Sequence, residues 1–239
     1  MRIKKQDILQ SNLLNEKNLE YFISTKPFFI RSPIYEEYSA QSKQNLDMLQ
    51  DFTIPQENII LLHQTHSSEV VIIHESHKRY EADAAITQLN KMLIVLASDC
   101  VPILLYDTKN HAIGVIHAWR LDAEIIKNTL YSLQEIFSQP RDILCYIGPC
   151  ISQENYEVAD VAEKFLPHFL RSVSKQLQKN NTFLLDVRIA QQQLLKHVLE
   201  KNIEMSQYCT YREKDVFHSY RRSTQKGEVY QNNALIMLK

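Results

Sequence analysis

The chain has 239 residues, 44% of them hydrophobic and 23% charged, and its 27 basic and 28 acidic side chains leave a net charge of -1. That apolar fraction excludes a disordered chain, and no apolar run approaches the ~18 residues of a membrane span. The balanced charge gives no whole-chain field for a polyanion, so neither a nucleic acid nor a membrane is expected as a partner.

At about 150 residues per domain, the length suits one large domain or two small ones. No repeat, low-complexity tract or Pro/Gly/Ser linker divides the chain, so a single domain over residues 1–239 is expected. Met1 to Gln10 carries the charges of a signal peptide but no apolar stretch follows, which predicts a cytoplasmic protein. Cysteines at 100, 145, 150 and 209 are too dispersed for a disulfide framework and read as thiols. Usual glycine content is about 7%. Here Gly114, Gly148 and Gly227 are the whole set, and they cannot assemble a phosphate loop or a dinucleotide fingerprint.

In chain order, Ser32 to Asn45 reads as a long loop. Short β-rich runs follow at Asn58–Leu62, Val70–Ile73, Met92–Ala97, Val101–Tyr106 and Ala112–Ile116, apolar on both faces and therefore suited to buried strands. Asp122 is a fitting N-cap for a helix whose apolar positions are Ile125, Ile126, Leu130, Leu133 and Phe137, ending before Pro140. A strand over Ile143–Ile147 closes at Gly148-Pro149, and Gln176–Thr182 reads as an exposed connection. Asp186 opens a second helix with Ala190, Leu194, Leu195, Val198 and Leu199 on its apolar face, and Ala234–Leu238 is the last strand. Strands and helices mix without strict βαβ alternation, which predicts an α+β fold of mixed β-sheets covered by helices.

Nine histidines are many for this length. His66 and His117 follow apolar strands, and Cys100, in Ser98-Asp99-Cys100, stands between two of them. Two imidazoles and a thiolate are the three protein ligands of a catalytic zinc site with an open fourth position. Their spacing matches no local zinc signature, so rival sets from His63, His74 and His77 stay open on counting alone; these three read as surface or packing residues. Arg120 and the pair Arg221-Arg222 have the planar donor fork that suits phosphate, with a surface or ion-pair role as the alternative. Asp99 is either support for a ligand or a turn residue, and Cys150 reads as a packing residue.

Five segments resemble the YfiH/YlmD family, also called the laccase-domain or multicopper polyphenol oxidase family and described as multifunctional purine nucleoside phosphorylases. They are Gln64-Thr-His-Ser-Ser-Glu-Val70, Ala82-Asp-Ala-Ala-Ile-Thr87, Ser98-Asp-Cys-Val-Pro-Ile-Leu-Leu105, Val115-Ile-His-Ala-Trp-Arg120 and Ile147-Gly-Pro-Cys-Ile-Ser-Gln-Glu-Asn-Tyr-Glu-Val158. The stretch from Cys209-Thr-Tyr through Phe217-His-Ser-Tyr-Arg-Arg222 resembles the family's C-terminal signature. The resemblance implies a YfiH-like fold, related to the catalytic fold of the cytotoxic necrotizing factors, with zinc on His66, Cys100 and His117. It also implies phosphorolysis of adenosine, inosine, guanosine and methylthioadenosine with adenosine deamination at the same site, hence transferase and hydrolase activities on small molecules. A monomer or small homo-oligomer is expected.

The family's His-Ala-Gly-Trp-Arg-Gly reads His117-Ala118-Trp119-Arg120-Leu121 here, and Ser67 stands where a glycine often follows the first histidine. Both departures predict an altered loop geometry around the substrate. The same residues allow other chemistry. Cys100 and His117 resemble the Cys-His pair of the necrotizing-factor deamidases, which implies a thiolate nucleophile. Copper suits thiolate and imidazole, but phenol oxidation ranks lower because one three-ligand site is too few. Amide hydrolysis in peptidoglycan-precursor editing and a scaffold role complete the alternatives.

Overall fold

The strand residues Met92–Ala97, Val101–Asp107 and Ile113–Ala118 are buried at every position because both of their faces are covered. The computed structural model describes residues 11, 14, 19–26, 49, 54–75, 80–119, 123–136, 138–158, 174–176, 182–195, 198–229 and 231–238. The strands run β1 (Glu20–Ile23), β2 (Ile59–His63), β3 (Val70–Ile72), β4 (Tyr80–Glu81), β5 (Ala84–Thr87), β6 (Met92–Ala97), β7 (Val101–Asp107), β8 (Ile113–Ala118), β9 (Ile143–Ile147), β10 (Glu157–Val158), β11 (Ser174–Gln176), β12 (Phe183–Leu185), β13 (Ile203–Met205) and β14 (Asn233–Leu238). Helices are α1 (Ala123–Glu135), α2 (Val187–Leu194) and α3 (Tyr220–Lys226).

Three sheets form, ordered β1-β14-β6-β2-β4, β13-β9-β7-β8-β5-β3 and β10-β12-β11. Because side chains alternate along a strand, each central strand feeds two apolar layers. Leu104, Tyr106, Ile113 and Val115 meet Leu93, Val95, Leu235 and Met237 between the two larger sheets. Val101, Ile103, Leu105 and Ile116 point the other way, where Ile125, Ile126, Leu130 and Leu133 of α1 cover them. Beyond the five-stranded sheet, Met92, Ile94, Leu96, Ala234 and Ile236 pack with Phe22, Leu49 and Ile54. This is the expected α+β arrangement of mixed sheets with helices. Among the described residues, no helix is long and apolar enough to cross a membrane.

Two elements differ from expectation. Helix α2 ends at Leu194, and Leu199, expected on its apolar face, is 43% exposed. The chain turns instead, with Val198 N–H donating to Leu195 C=O. Gln176, expected in an exposed connection, closes β11, which pairs with β12. The Asp186 cap is present, its Oδ1 accepting from Ile189 N–H at 3.1 Å. Asp122, Phe137 and the expected loop over Ser32–Asn45 lie outside the described residues.

Candidate metal centre and active site

Strand register brings the site together. In the β7–β8 ladder Val101 lies opposite Ala118 and Pro102 opposite His117, so Cys100, one residue before β7, falls beside the end of β8. In the β5–β8 ladder Ala84 lies opposite Ile116, and the next rung is His117 N–H donating to Asp83 C=O at 2.7 Å. The β3–β5 pairing continues as Asp83 N–H donating to Glu69 C=O at 3.0 Å, which draws in the loop that follows β2 and carries His66.

One ligand atom each from His66, Cys100 and His117 lies within 4.8 Å of the others. Cys100 Sγ is 3.9 Å from His66 Nε2. The two imidazoles meet edge to face, with centroids 4.9 Å apart and planes at 73°. His66 is exposed, Cys100 half-buried and His117 buried, so the cluster opens to solvent on the His66 side. Trp119, 38% exposed, packs against His66 at 5.3 Å and 77°.

The residue that organises this centre is Asp83, fully buried at 0% exposure. Its Oδ1 lies 2.7 Å from His117 Nδ1 and accepts from His66 N–H at 3.2 Å. Oδ2 accepts from Thr65 N–H at 3.1 Å, Ser67 N–H at 2.7 Å and Ser67 O–H at 2.8 Å. One carboxylate therefore fixes the ring of one histidine and the backbone of the other. His66 has φ of 60°, the left-handed region that resists a β-carbon, and the Asp83 contacts hold it there. The motif Ala82–Thr87 contains Asp83 without marking its role; the signal present is an acidic residue flanked by Ala82 and Ala84 at the start of an apolar strand.

The charges are coupled. Burial raises the Asp83 pKa, but hydrogen bonds from His117 and Ser67 outweigh it and bring the carboxyl down to about 2. Burial opposes charge on both Cys100 and His117, yet each stabilises the other: the thiol falls to about 7 and the imidazole rises to about 9, helped by Asp83. Without a metal, the centre favours a thiolate–imidazolium pair. The donor set, a softened sulfur and two imidazoles, fits a metal of the zinc or copper kind.

Asp99 serves as an anchor. It has φ of 88° and turns the chain between β6 and β7. Its carboxylate accepts from Thr210 O–H at 2.6 Å, Ser219 O–H at 2.9 Å and Arg221 N–H at 2.7 Å, tying the C-terminal segment to the cysteine loop. Burial raises its pKa, against these hydrogen bonds. His63 is buried 3.6 Å from Glu81, outside the cluster, and His74 is exposed. All four cysteines are free, and Cys150 is fully buried on a β-bridge to Cys209.

Of the three candidate arginines, the two described ones, Arg221 and Arg222, differ in what they are free to do. Arg222 is 1% exposed, and its guanidinium is engaged by Glu228 at 2.6 Å and by the carbonyls of Thr210, Tyr211 and Phe217. It is a structural residue with no donor fork left for phosphate. Arg221 lies over the Tyr156 ring at 5.2 Å and donates to Glu157 C=O, at the edge of a polar cavity of about 380 Å³ that none of the three candidate ligands lines. Arg120 and His77 lie outside the described residues.

A family model described as multi-copper polyphenol oxidoreductase laccase matches residues 35–239. The chain belongs to this laccase-like family. A purine nucleoside phosphorylase of Haemophilus influenzae is 28% identical over 230 residues, which is 89% of this chain and 93% of that protein. One of Clostridium acetobutylicum is 30% identical over 230 residues, 93% and 94% of the two chains. The crystal structure of YlmD from Geobacillus stearothermophilus shares the fold, with a TM-score of 0.78 at 19% identity over 96% of this chain and 94% of that one. The laccase-like chain thus has the YfiH/YlmD architecture that its motifs resemble.

Proposed function

We propose that this laccase-like protein is a zinc-dependent purine nucleoside phosphorylase that also deaminates adenosine, with the metal on His66, Cys100 and His117. The observation that carries the reading is the convergence of these three ligand atoms within 4.8 Å at a solvent-facing edge. Relatives named purine nucleoside phosphorylase along most of the chain support the substrate class. When bound, zinc supplies a positive charge that acidifies water and stabilises developing negative charge.

The chain's own residues supply the rest. Asp83 keeps a proton on His117 Nδ1, which leaves Nε2 with its lone pair toward the cluster. His66, exposed and nearly perpendicular to Trp119, borders the side open to solvent. In phosphorolysis the C1′–N9 bond breaks and a C1′–O bond to phosphate forms, the base leaving with the electron pair and a proton. In deamination, water adds at C6 and ammonia leaves. Arg120 and Arg221 are the phosphate-binding residues of this proposal, Arg222 being spent within the fold. The substrates are small molecules, and the site of action proposed is the cytoplasm.

Incubation with adenosine and phosphate, resolving adenine, inosine and hypoxanthine, tests the reading. Adenine formation that requires phosphate and is lost in Cys100→Ala and His117→Ala is expected. None of the three products at high enzyme concentration overturns it.

A second reading has one observation in its favour, the mutual stabilisation of Cys100 thiolate and His117 imidazolium. In amide hydrolysis such a thiolate attacks the carbonyl carbon and the imidazolium gives its proton to the leaving amine, after which the neutral imidazole takes a proton from the water that releases the acyl group. Stoichiometric zinc that shields Cys100 from alkylation supports the phosphorylase; a metal-free, rapidly alkylated Cys100 supports the hydrolase. Phenol oxidation by several coppers finds one three-ligand cluster among the described residues, too few for a multicopper centre.

A further inference from the structure

We infer that Gln64 is a positioning residue for the metal centre proposed above, on which the inference rests: its side-chain amide ties the loop carrying His66 to the strand leading into Cys100 and so sets the separation of these two ligands. Gln64 is buried, at 8% exposure. Its Nε2 donates to Leu96 C=O and its Oε1 accepts from Leu96 N–H, each at 2.7 Å. Gln64 precedes His66 by two residues, and Leu96 precedes Cys100 by four.

The strand pairing explains why a side chain takes this part. Strand β2 runs beside β6 as far as Leu61 opposite Ile94, where that register ends. It continues with β4, as Leu62 opposite Tyr80 and His63 opposite Glu81, while β6 goes on with β14 as far as Ala97 opposite Asn233. Leu96 is buried, at 4% exposure, where a backbone N–H or C=O without a partner is costly. A carboxamide carries a donor and an acceptor, as a peptide unit does. On the edge of β6 that faces β2, the Gln64 side chain thus takes over where the ladder stops.

Three ties then define the triangle of ligands. The β7–β8 ladder sets Cys100 against His117. Asp83 sets His117 against His66, through Nδ1 of the first and the backbone N–H of the second. The Gln64–Leu96 pair sets His66 against Cys100, with Sγ standing 3.9 Å from Nε2. Asp83 immediately precedes β5, so its contacts refer the loop to His117 and not to β6. Without the Gln64 amide the loop can pivot about Asp83, which moves the His66 ring relative to the sulfur while Cys100 and His117 stay in place.

Gln64→Met keeps the length of the side chain and removes both hydrogen bonds. In protein shown by circular dichroism to be folded, competition against a chromophoric chelator should find zinc held about 10- to 100-fold less tightly than in wild type. Cobalt reads which ligand has moved: the thiolate-to-cobalt band in the near ultraviolet stays, while the visible absorption of the four-coordinate ion weakens toward the spectrum of His66→Ala. A double-mutant cycle separates this role from a merely structural one. In the His66→Ala background Gln64→Met should change zinc affinity by less than about twofold, because the ligand it positions is already gone, whereas a general loss of packing acts alike in both backgrounds. Gln64→Asn, whose amide is one methylene short of Leu96, should fall between Gln64→Met and wild type, and it serves in the same cycle if Gln64→Met does not fold. Wild-type zinc affinity in the variant, or an equal loss with and without His66, overturns the inference and leaves the metal centre standing. A wild-type protein that takes up neither zinc nor cobalt removes the centre, and the role of Gln64 with it. The expected cycle with no turnover of adenosine supports the role of Gln64 and removes the phosphorylase.

Discussion

Replacing Asp83 by asparagine separates what its shape does from what its charge does. The carboxylate has two acceptor sides, one toward His117 Nδ1 and His66 N–H and the other toward Thr65 N–H, Ser67 N–H and Ser67 O–H. An amide has one acceptor side, so either orientation fails one set. With the amide oxygen toward His117, the N–H groups of Thr65 and Ser67 face an NH₂ and lose their acceptor; the Ser67 hydroxyl can rotate and accept instead. With the NH₂ toward His117, the ring must accept at Nδ1 and carry its proton on Nε2, the tautomer that cannot ligate a metal.

Each backbone donor stranded in this region costs about 1–3 kcal/mol, so Asp83→Asn should lower the stability of the metal-free protein by about 3 kcal/mol. Loss of the partner that orients a ligand histidine weakens metal binding by about 10- to 100-fold. Thermal or urea unfolding in a chelator reads the first quantity, and competition for zinc against a chromophoric chelator reads the second. An Asp83→Asn protein that holds zinc as tightly as wild type would refute the role given to the carboxylate, whatever its stability. Asp83→Ala is the harsher variant, leaving five contacts unmade at a site with no solvent access.

Zinc binding should strengthen as pH rises. His117 holds its proton until about 9 and Cys100 until about 7 in the metal-free state, so zinc displaces about one proton between these values and about two below 7, where affinity should fall about 100-fold per pH unit. A pH-stepped zinc titration with no slope contradicts the coupled pair. Arg222→Met removes one partner from a buried network and should cost about 3 kcal/mol in unfolding experiments, while the fraction that folds still binds zinc normally; a wild-type melting temperature counts against its structural role. Gly148→Ala places a β-carbon 2.5 Å from Leu235 Cδ2 and 3.0 Å from Pro102 Cγ. Leu235 can swing away and Pro102 cannot, so a loss of about 1–3 kcal/mol is expected, and a neutral result shows that β7 can shift at this point.

The parts of the fold legible in the sequence are those whose burial is two-sided. Strands β6, β7, β8, β9 and β14 read as continuous apolar runs because each has a packed layer on either face or lies against one that does. Strand β5 escaped reading as a strand because Ala84 and Ala85 have weak β-propensity; both are fully buried, one toward each core layer. The small sheet escaped too, since Ser174–Gln176 is polar throughout. Among the site residues, the three candidate ligands are legible from chemistry and resemblance, and register explains how their side chains meet. Three of the five partners of Asp83 could not be read, because they are backbone N–H groups of residues 16 to 18 positions earlier, which leave no trace in side-chain identity.

The missing glycines have a local physical answer at Ser67. The residue that adopts the left-handed conformation in this loop is His66, not the position after it, so Ser67 does not need a glycine's freedom. Its side chain is instead put to use: the hydroxyl donates to Asp83 Oδ2 at 2.8 Å and accepts from Glu69 N–H at 3.3 Å. Asp99 follows the same logic across the site, with a positive φ held by three donors from the C-terminal segment. A non-glycine residue in such a conformation costs on the order of 1–2 kcal/mol, and several charge-assisted hydrogen bonds offset that. Two buried aspartates thus replace conformational freedom with fixed geometry, one beneath the histidines and one behind the cysteine. The expected alteration around Ser67 becomes a more rigid cradle for the ligand set, in which the conformations of His66 and Asp99 are held by contacts reaching distant parts of the chain.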